Sequence, residues 1–462
     1  MKLAFLVPSL RLSGGLNVVV EHGSRLARDH GFDVTMVITH HQGEEPWPYD
    51  GLAHVRVVDL DDVTGESFDL AVATWWDTVA RLPDLDVKRC AYFVQSLEDR
   101  FFTEDDPQAA LAGLTYRLGL PVITEARWIA DVFAATSPDV PCWYVRNGIN
   151  KDIFPDQEMV EPRPTGPLRI LVEGNLDDHV KGVPEALEAV ARMTEPAQVT
   201  VVAARSTGAP AGTEVIGPLS QRELSEVMAH TDVVLKLSRV EGMSGPPLEA
   251  FHRGATCVLT PVTGHDEYLQ HGWNGLLTGW DDPGGTARQL DLLSVDRRLL
   301  HFLRTNAAAT ARAWPGWDQA TTIMAGALRA AAVVPGPDIQ ALAPLLREVR
   351  YQVARSSRRI HRLKEKVLAD SVHIHKLEEG WRSAGERVQE LSELNEAFSH
   401  RALGAEDRLA RVDTMLAHLE HSRWIRLLEA LEAPVRRTRP GMGSVRNRIS
   451  ATRTVAAGDD GS

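Results

Sequence analysis

The sequence predicts an α/β fold: two parallel-sheet domains in series, followed by a long C-terminal coiled-coil helix. Three observations carry this reading. Short apolar runs alternate with helical patterns through most of residues 1–334, a proline-rich break interrupts them at 155–167, and a 3.5-residue apolar repeat begins at residue 346. Strands that are short, apolar on both faces and separated by helices belong to parallel sheets covered by helices on both sides.

In the first domain, 1–154, the expected strands are 3–7, 34–38, 55–58, 70–74, 90–95, 122–124 and 143–146. Residues 16–27, LNVVVEHGSRLA, show a period near 3.6 and predict the first helix. The linker 155–167, PDQEMVEPRPTGP, continues neither a helix nor a central strand, because its prolines lack the N–H that either would need. The alternation resumes in the second domain, 168–334, with strands expected at 168–172, 199–203, 215–216, 233–237 and 257–259, and helix formers over 284–332 close it. Pro335, Pro337 and Pro344 mark a connector.

From Leu346 to Leu419 one seam alternates steps of three and four, and of its 22 positions only Ser356, Asp370 and Asn395 are polar. Only a 3.5 repeat keeps one stripe against a partner over so many turns, so 345–421 is expected to form a coiled coil. β-branched residues at a (Val353, Ile360, Val367, Ile374, Val388) with Leu363, Leu377 and Leu391 at d favour two parallel strands, predicting a parallel homodimer through 346–419. The competing reading is an amphipathic helix folded back on the body. The tail 422–462 is apolar, then basic, with arginines at 436, 437, 439, 446, 448 and 453. It fits peripheral contact with an anionic membrane or a solubilising end.

Composition narrows the function classes. With 44% apolar and 24% charged residues the chain can bury real cores, and 462 residues correspond to about three domain-sized units. A net charge of −13 speaks against a nucleic-acid partner, since phosphates would be repelled by the average surface. Cys90, Cys142 and Cys257 are far apart and show no metal or disulfide spacing, which fits a reducing cytoplasm. The opening apolar run ends at Leu10 and is read as a strand rather than a leader, and no run approaches the ~20 apolar residues of a membrane span.

Chemistry concentrates in strand-to-helix loops. Gly14 and Gly15 lie between the first strand and first helix, where a backbone can approach phosphate; without GxGxxG spacing the pair gives no dinucleotide fingerprint and equally fits a plain turn. Lys181, in the loop after the second domain's first strand, is placed to meet an anion or simply to be solvated. The most informative stretch is EGMSGPPLE, 241–249. It puts Glu241 at a strand end, Glu249 in the following helix, and Gly242, Ser244 and Gly245 between them, where backbone amides suit a negatively charged oxygen. Carboxylates accept from vicinal hydroxyls and amides take phosphate, which together describe a sugar–diphosphate–ribose ligand. Alone, Glu249 would be an ordinary helix-dipole partner. The pairs Asp105-Asp106, Asp177-Asp178 and Asp281-Asp282 lack a clustered ligand set and are read as solvated turns, and His22, His252 and His265 as structural.

The Glu-x7-Glu segment, continuing as AFHRGATCVLTPVTGHDEYLQHGWNGLLTGWDD, resembles the donor-site signature of retaining family 4 glycosyltransferases, with the SGG loop, Lys181-Gly182 and Asn147-Gly148-Ile149 fitting the same family. The likeness covers about residues 1–330 and is most specific over 241–278. Residues 92–102, YFVQSLEDRFF, are similar to the rhamnosyltransferase-like branch of surface polysaccharide synthesis. The resemblance implies two Rossmann-like domains in the GT-B arrangement and sugar transfer from a nucleotide-sugar donor to a glycan or lipid-linked acceptor, with retention and without a metal or other cofactor. It implies that Glu249 holds the ribose hydroxyls and Glu241 contacts the donor sugar. Lys181 and the amides at Ser244 and Gly245 would hold the diphosphate, Gly14 and Gly15 would close over it, and Gln95 and Glu98 would lie near the reacting centre. The chain departs from the family at Asn175, where an arginine is usual; Arg205 or Arg239 could replace it. That departure supports a competing reading, a degenerate transferase body that organises an assembly through its coiled coil.

Overall fold

The computed structural model describes residues 1–40, 47–103, 105–204 and 213–382. The chain divides into two compact units, Met1–Arg362 and Leu363–Ser462.

The first sheet has seven strands: β1 (Lys2–Val7), β2 (Asp33–Ile38), β3 (Arg56–Asp59), β5 (Leu70–Ala73), β7 (Cys90–Val94), β8 (Val122–Thr124) and β9 (Cys142–Tyr144), in the order β3-β2-β1-β5-β7-β8-β9. A short separate ladder joins β4 (Ser67–Phe68) to β6 (Asp86–Val87). Every pairing is parallel, so the strands are covered on both faces: Leu3 to Val7 of β1 and all of β5 are buried. Helices α1 (Gly14–Asp29), α2 (Pro107–Thr115) and α3 (Arg127–Thr136) belong to this half. α1 begins at Ser13, whose extended backbone lets its hydroxyl accept from Leu16 N at 3.1 Å.

The second sheet has six strands, β10 (Leu168–Glu173), β11 (Ala197–Val202), β12 (Glu214–Ile216), β13 (Val233–Lys236), β14 (Thr256–Leu259) and β15 (Leu276–Leu277), ordered β12-β11-β10-β13-β14-β15 and again wholly parallel. The helices are α4 (Val183–Ala191), α5 (Gln221–Ala229), α6 (Gly245–His252), α7 (Pro283–Val295) and α8 (Arg297–Ala313). α4 packs on α7, whereas α6 packs on α5 and α8, which divides the helices between the two faces. This is the doubly wound α/β arrangement expected from the alternating pattern. Residues 155–167 contain neither helix nor strand and are tied to the second domain, with Arg163 Nη2 donating to Ala229 O at 2.8 Å.

One boundary differs from expectation. α9 (Trp317–Ala331) follows the second domain in sequence, yet Met324, Ala325, Leu328 and Ala331 share one core with Leu3, Phe5 and Val72 of the first sheet. Its amphipathic pattern announced a buried face without revealing which sheet would receive it. The crossing is sealed at His22, fully buried in α1, whose ring nitrogen lies 3.0 Å from Thr321 Oγ1.

The chain then stays on the first domain. Gln340 donates to Pro83 O at 3.1 Å, and Arg350 pairs with Asp84. α10 (Ala343–Arg382) opens with Leu346 and Val349 at 1% and 2% exposure, so the first two seam positions are buried within the chain and cannot face a partner helix. Leu363 and Val367 are exposed at 54% and 67%. Coiled-coil positions beyond 382 and the basic tail lie outside the described residues. No helix among the described residues is long and apolar enough to cross a membrane.

Candidate active site

Strand register builds the centre of the site. The pairing of Val172 with Leu235 brings Glu173 level with Lys236 at the carboxyl ends of β10 and β13. Lys236 Nζ, 3% exposed, lies 2.6 Å from Glu173 Oε2 and 3.5 Å from Glu241 Oε1. Glu241 Oε1 and Oε2 also accept from Lys181 Nζ at 3.1 and 3.3 Å. Two lysines and two glutamates thus alternate along one crevice. Burial alone would raise the Glu241 pKa, but Lys236 and Lys181 outweigh it and hold the carboxyl below its ordinary value. Burial likewise opposes the charge on Lys236, and Glu173 and Glu241 reverse it, keeping the ammonium above the usual lysine range.

Backbone geometry fixes the two cationic and acidic loops together. Gly182, the residue before α4, has φ +68°, and a Cβ there would lie 2.1 Å from Leu237 O. Only glycine allows that approach, which presses the Lys181 loop onto the end of β13.

Ser244 precedes α6 in extended conformation, is 4% exposed, and its Oγ has no hydrogen-bond partner. Pro246 and Pro247 occupy the first turn and bring no N–H, so the donors at this terminus come from neighbouring amides and the Ser244 hydroxyl. One turn on, half-buried Glu249 places Oε1 3.9 Å from where a Gly245 side chain would begin. Burial, with Glu173 and Glu21 adding repulsion, raises its pKa to about 7. A buried hydroxyl beside a helix N-terminus has the chemistry to donate to an anion.

The first domain closes the crevice. Gln95, at the end of β7, lies against Gly15: a Cβ on that glycine would be 3.3 Å from Gln95 Oε1, which is buried without a partner. Gln95 O approaches Gly242 so closely that a Cβ there would sit 1.8 Å away. Trp128 Nε1 donates to Gly242 O at 2.8 Å, and Arg100 reaches Thr263 Oγ1 at 3.1 Å, which in turn donates to Glu241 O at 2.8 Å. Glu267 accepts from Tyr144 OH at 2.6 Å and from Arg127 N. Gly14 faces open space.

Of the residues singled out in the sequence, Lys181 and Glu241 pair directly, Ser244, Gly245 and Glu249 share one helical start, and Gln95 bridges Gly15 and Gly242. Glu98 does not join them. It is 1% exposed and accepts from Trp76 N at 2.7 Å and Tyr92 OH at 2.9 Å, and burial raises its pKa well above the ordinary carboxylate value, so it is a structural group of the first domain. Arg239, a possible replacement cation, is engaged by Asp281 and by Glu185 at 3.4 Å; Arg205 lies outside the described residues. Sequence reasoning passed over Lys236 and Glu173. The signal was a lysine inside the otherwise apolar VVLKL run, which a buried strand tolerates only beside carboxylates. It also passed over Glu125, 5% exposed, which accepts from Asn147 Nδ2 at 2.7 Å and whose pKa burial raises to about 8. Among the described residues no group of three or more His, Cys, Asp or Glu is placed to hold a metal.

Residues 167–296 match the family model of glycosyl transferases group 1. HepE of Anabaena, solved with UDP and glucose, is similar at 16% identity and a TM-score of 0.58, covering 71% of this chain and 100% of that one. Sucrose-phosphate synthase of Thermosynechococcus elongatus is similar at 15% identity and 0.60, covering 71% and 98%, and WaaG, a glycosyltransferase involved in lipopolysaccharide biosynthesis, at 17% and 0.53, covering 71% and 99%. No curated protein matches the sequence. The family match is thus confined to the second domain, and the two-sheet body shares the GT-B fold of these solved structures.

Proposed function

We propose that the protein transfers a sugar from a nucleotide-sugar donor to a glycan or lipid-linked acceptor, with retention of configuration, in cell-surface polysaccharide synthesis. The observation that carries this is the unpaired, buried Ser244 hydroxyl at the start of α6, flanked by Glu249 and the Lys181–Glu241 pair. A diphosphate supplies the acceptors that Ser244 lacks, ribose hydroxyls donate to Glu249, and hydroxyls of the donor sugar donate to Glu241. Lys181, 29% exposed in its side chain, is the cation within reach of an incoming phosphate, while Lys236 is buried behind it and holds Glu241 ionised.

The acceptor hydroxyl oxygen bonds to the anomeric carbon on the face the diphosphate leaves. The carbon–oxygen bond to the diphosphate breaks, and the departing phosphate oxygen takes the hydroxyl proton. Catalysis is then positioning and stabilisation of charge on the leaving group by Lys181 and nearby amides. Gln95, with its free Oε1 at Gly15, orients the acceptor side. On this reading no metal or cofactor is needed, and the protein works in the cytoplasm. We further propose a parallel homodimer through the seam beyond Val349 and peripheral membrane contact through the tail.

The test is turnover with a panel of UDP-, GDP- and dTDP-sugars in the presence of chelator. The proposal expects one donor class to bind and turn over with EDTA present. No binding across the panel would defeat it; binding without turnover would favour a degenerate body acting as a scaffold. Removal of residues after Arg362, where the first compact unit ends, should leave transfer to a soluble acceptor unchanged if the coiled coil is accessory.

A further inference from the structure

On the α4–α7 face of the second sheet, away from α6, lies a hollow of about 360 Å³. Its floor is Leu237 and Thr260, just past β13 and β14, and its wall is the turn Trp280-Asp281 after β15. Trp280 is 42% exposed, a large ring for a surface turn. Asp281 is the one non-glycine residue with positive φ among the described residues, at +52°, and its carboxylate is bound by Arg239, which also reaches Glu185 at 3.4 Å. A strained residue persists only where its surroundings hold it, and strain of this kind gathers at ligand-binding turns.

The lining decides what the hollow can take. Glu185, Glu188, Asp281 and Asp282 face only two guanidiniums, Arg192 and Arg239, so an anion is disfavoured. Among the described residues no three metal-binding side chains converge, so a bound cation has no ligand set there. The charged rim does not suit an apolar ligand. What remains is a neutral, polyhydroxylated one: an indole face packs against the C–H face of a sugar ring, carboxylates accept from its hydroxyls, and Arg239 donates to them.

We propose that this hollow is a second saccharide site, separate from the donor crevice, which holds a neutral stretch of glycan. The identification of a glycan as the ligand rests on the transferase reading; the hollow and its selectivity do not. A chain held there and at the crevice would be bound more tightly than by either alone, provided it can span both.

The test uses the full chain, an array of neutral linear hexose and deoxyhexose oligosaccharides, and calorimetry on the best binder. Trp280→Ala is expected to weaken that oligosaccharide about tenfold, the upper range for losing an aromatic contact. Asp281→Gly, which accepts the positive φ while removing the carboxylate, is expected to weaken it as well. Both variants should bind nucleoside diphosphate like the parent, which also shows that they fold. The proposal is overturned if no neutral oligosaccharide binds at millimolar concentration, if only charged glycans bind, or if Trp280→Ala binds as the parent does. The donor reading is separable: failure of every nucleotide to bind with oligosaccharide binding intact would remove that reading and leave this one.

Discussion

The pKa of about 7 at Glu249 makes donor binding depend on pH in a calculable way. If its ionised carboxylate accepts the ribose hydroxyls, only the deprotonated protein binds well. At pH 5.5 a group titrating at about 7 is roughly 3% ionised, so affinity should fall about thirtyfold from its plateau above pH 8, or about 2 kcal/mol. A nucleotide sugar is the right probe because its diphosphate, esterified at both ends, keeps constant charge over this range. Calorimetry from pH 5.5 to 8.5 should show affinity rising about tenfold per unit below pH 7 and levelling above it. Glu249→Gln, which cannot ionise, should be flat and no tighter than the parent at pH 5.5. A pH-independent parent, or a variant that keeps the slope, would refute the assignment. The same shift has a consequence for the unliganded fold. The folded-state pKa lies above the ordinary value of 4.5, so the folded protein binds the proton more tightly. The stability this contributes is complete below about pH 4.5 and is lost as pH rises to about 7, by about 3 kcal/mol at most.

Other perturbations test neighbouring parts of the structure. Glu125, with a pKa raised to about 8, should be neutral at pH 7, so Glu125→Gln should leave stability at pH 5 unchanged and raise it at pH 8.5 in urea titrations. Lys236→Met strands Glu173 and part of the Glu241 charge, and should cost about 3–5 kcal/mol in urea unfolding, much of it recovered by adding Glu173→Gln. Gly242→Ala would place a methyl 1.8 Å from Gln95 O; the domains cannot meet, so turnover should fall at least a hundredfold while nucleotide affinity changes little. Leu346→Ala, at a position 1% exposed, should cost about 2–5 kcal/mol of body stability, whereas a peptide of residues 350–421 should be dimeric by light scattering; a monomer would reject the homodimer.

The parallel sheets were legible because doubly buried strands leave unbroken apolar runs, and the EGMSGPPLE stretch because strand-end loops must carry the ligand contacts. What stayed hidden depends on partners distant in sequence. A 3.6 period shows that α9 buries one face, but not that the face crosses to Leu3 and Phe5 in the first core. The heptad seam likewise could not reveal that Leu346 and Val349 are used to dock the start of α10 on the body. Glu98, three residues beyond Gln95, turns inward to Tyr92 and Trp76, and nothing local distinguishes it from a residue facing the crevice. Lys236 was the readable exception, since a lysine inside a buried strand requires carboxylates nearby, yet their identity as Glu173 and Glu241 follows only from strand register.

The most direct measurement is a crystal structure of the full chain with its nucleoside diphosphate bound. The expected structure has a phosphate within hydrogen-bond distance of Ser244 Oγ at the start of α6, ribose hydroxyls on Glu249, and Lys181 Nζ turned from Glu241 toward the phosphate. A nucleotide seated elsewhere, with Ser244 still unpaired and the Lys181–Glu241 bridge intact, would contradict it.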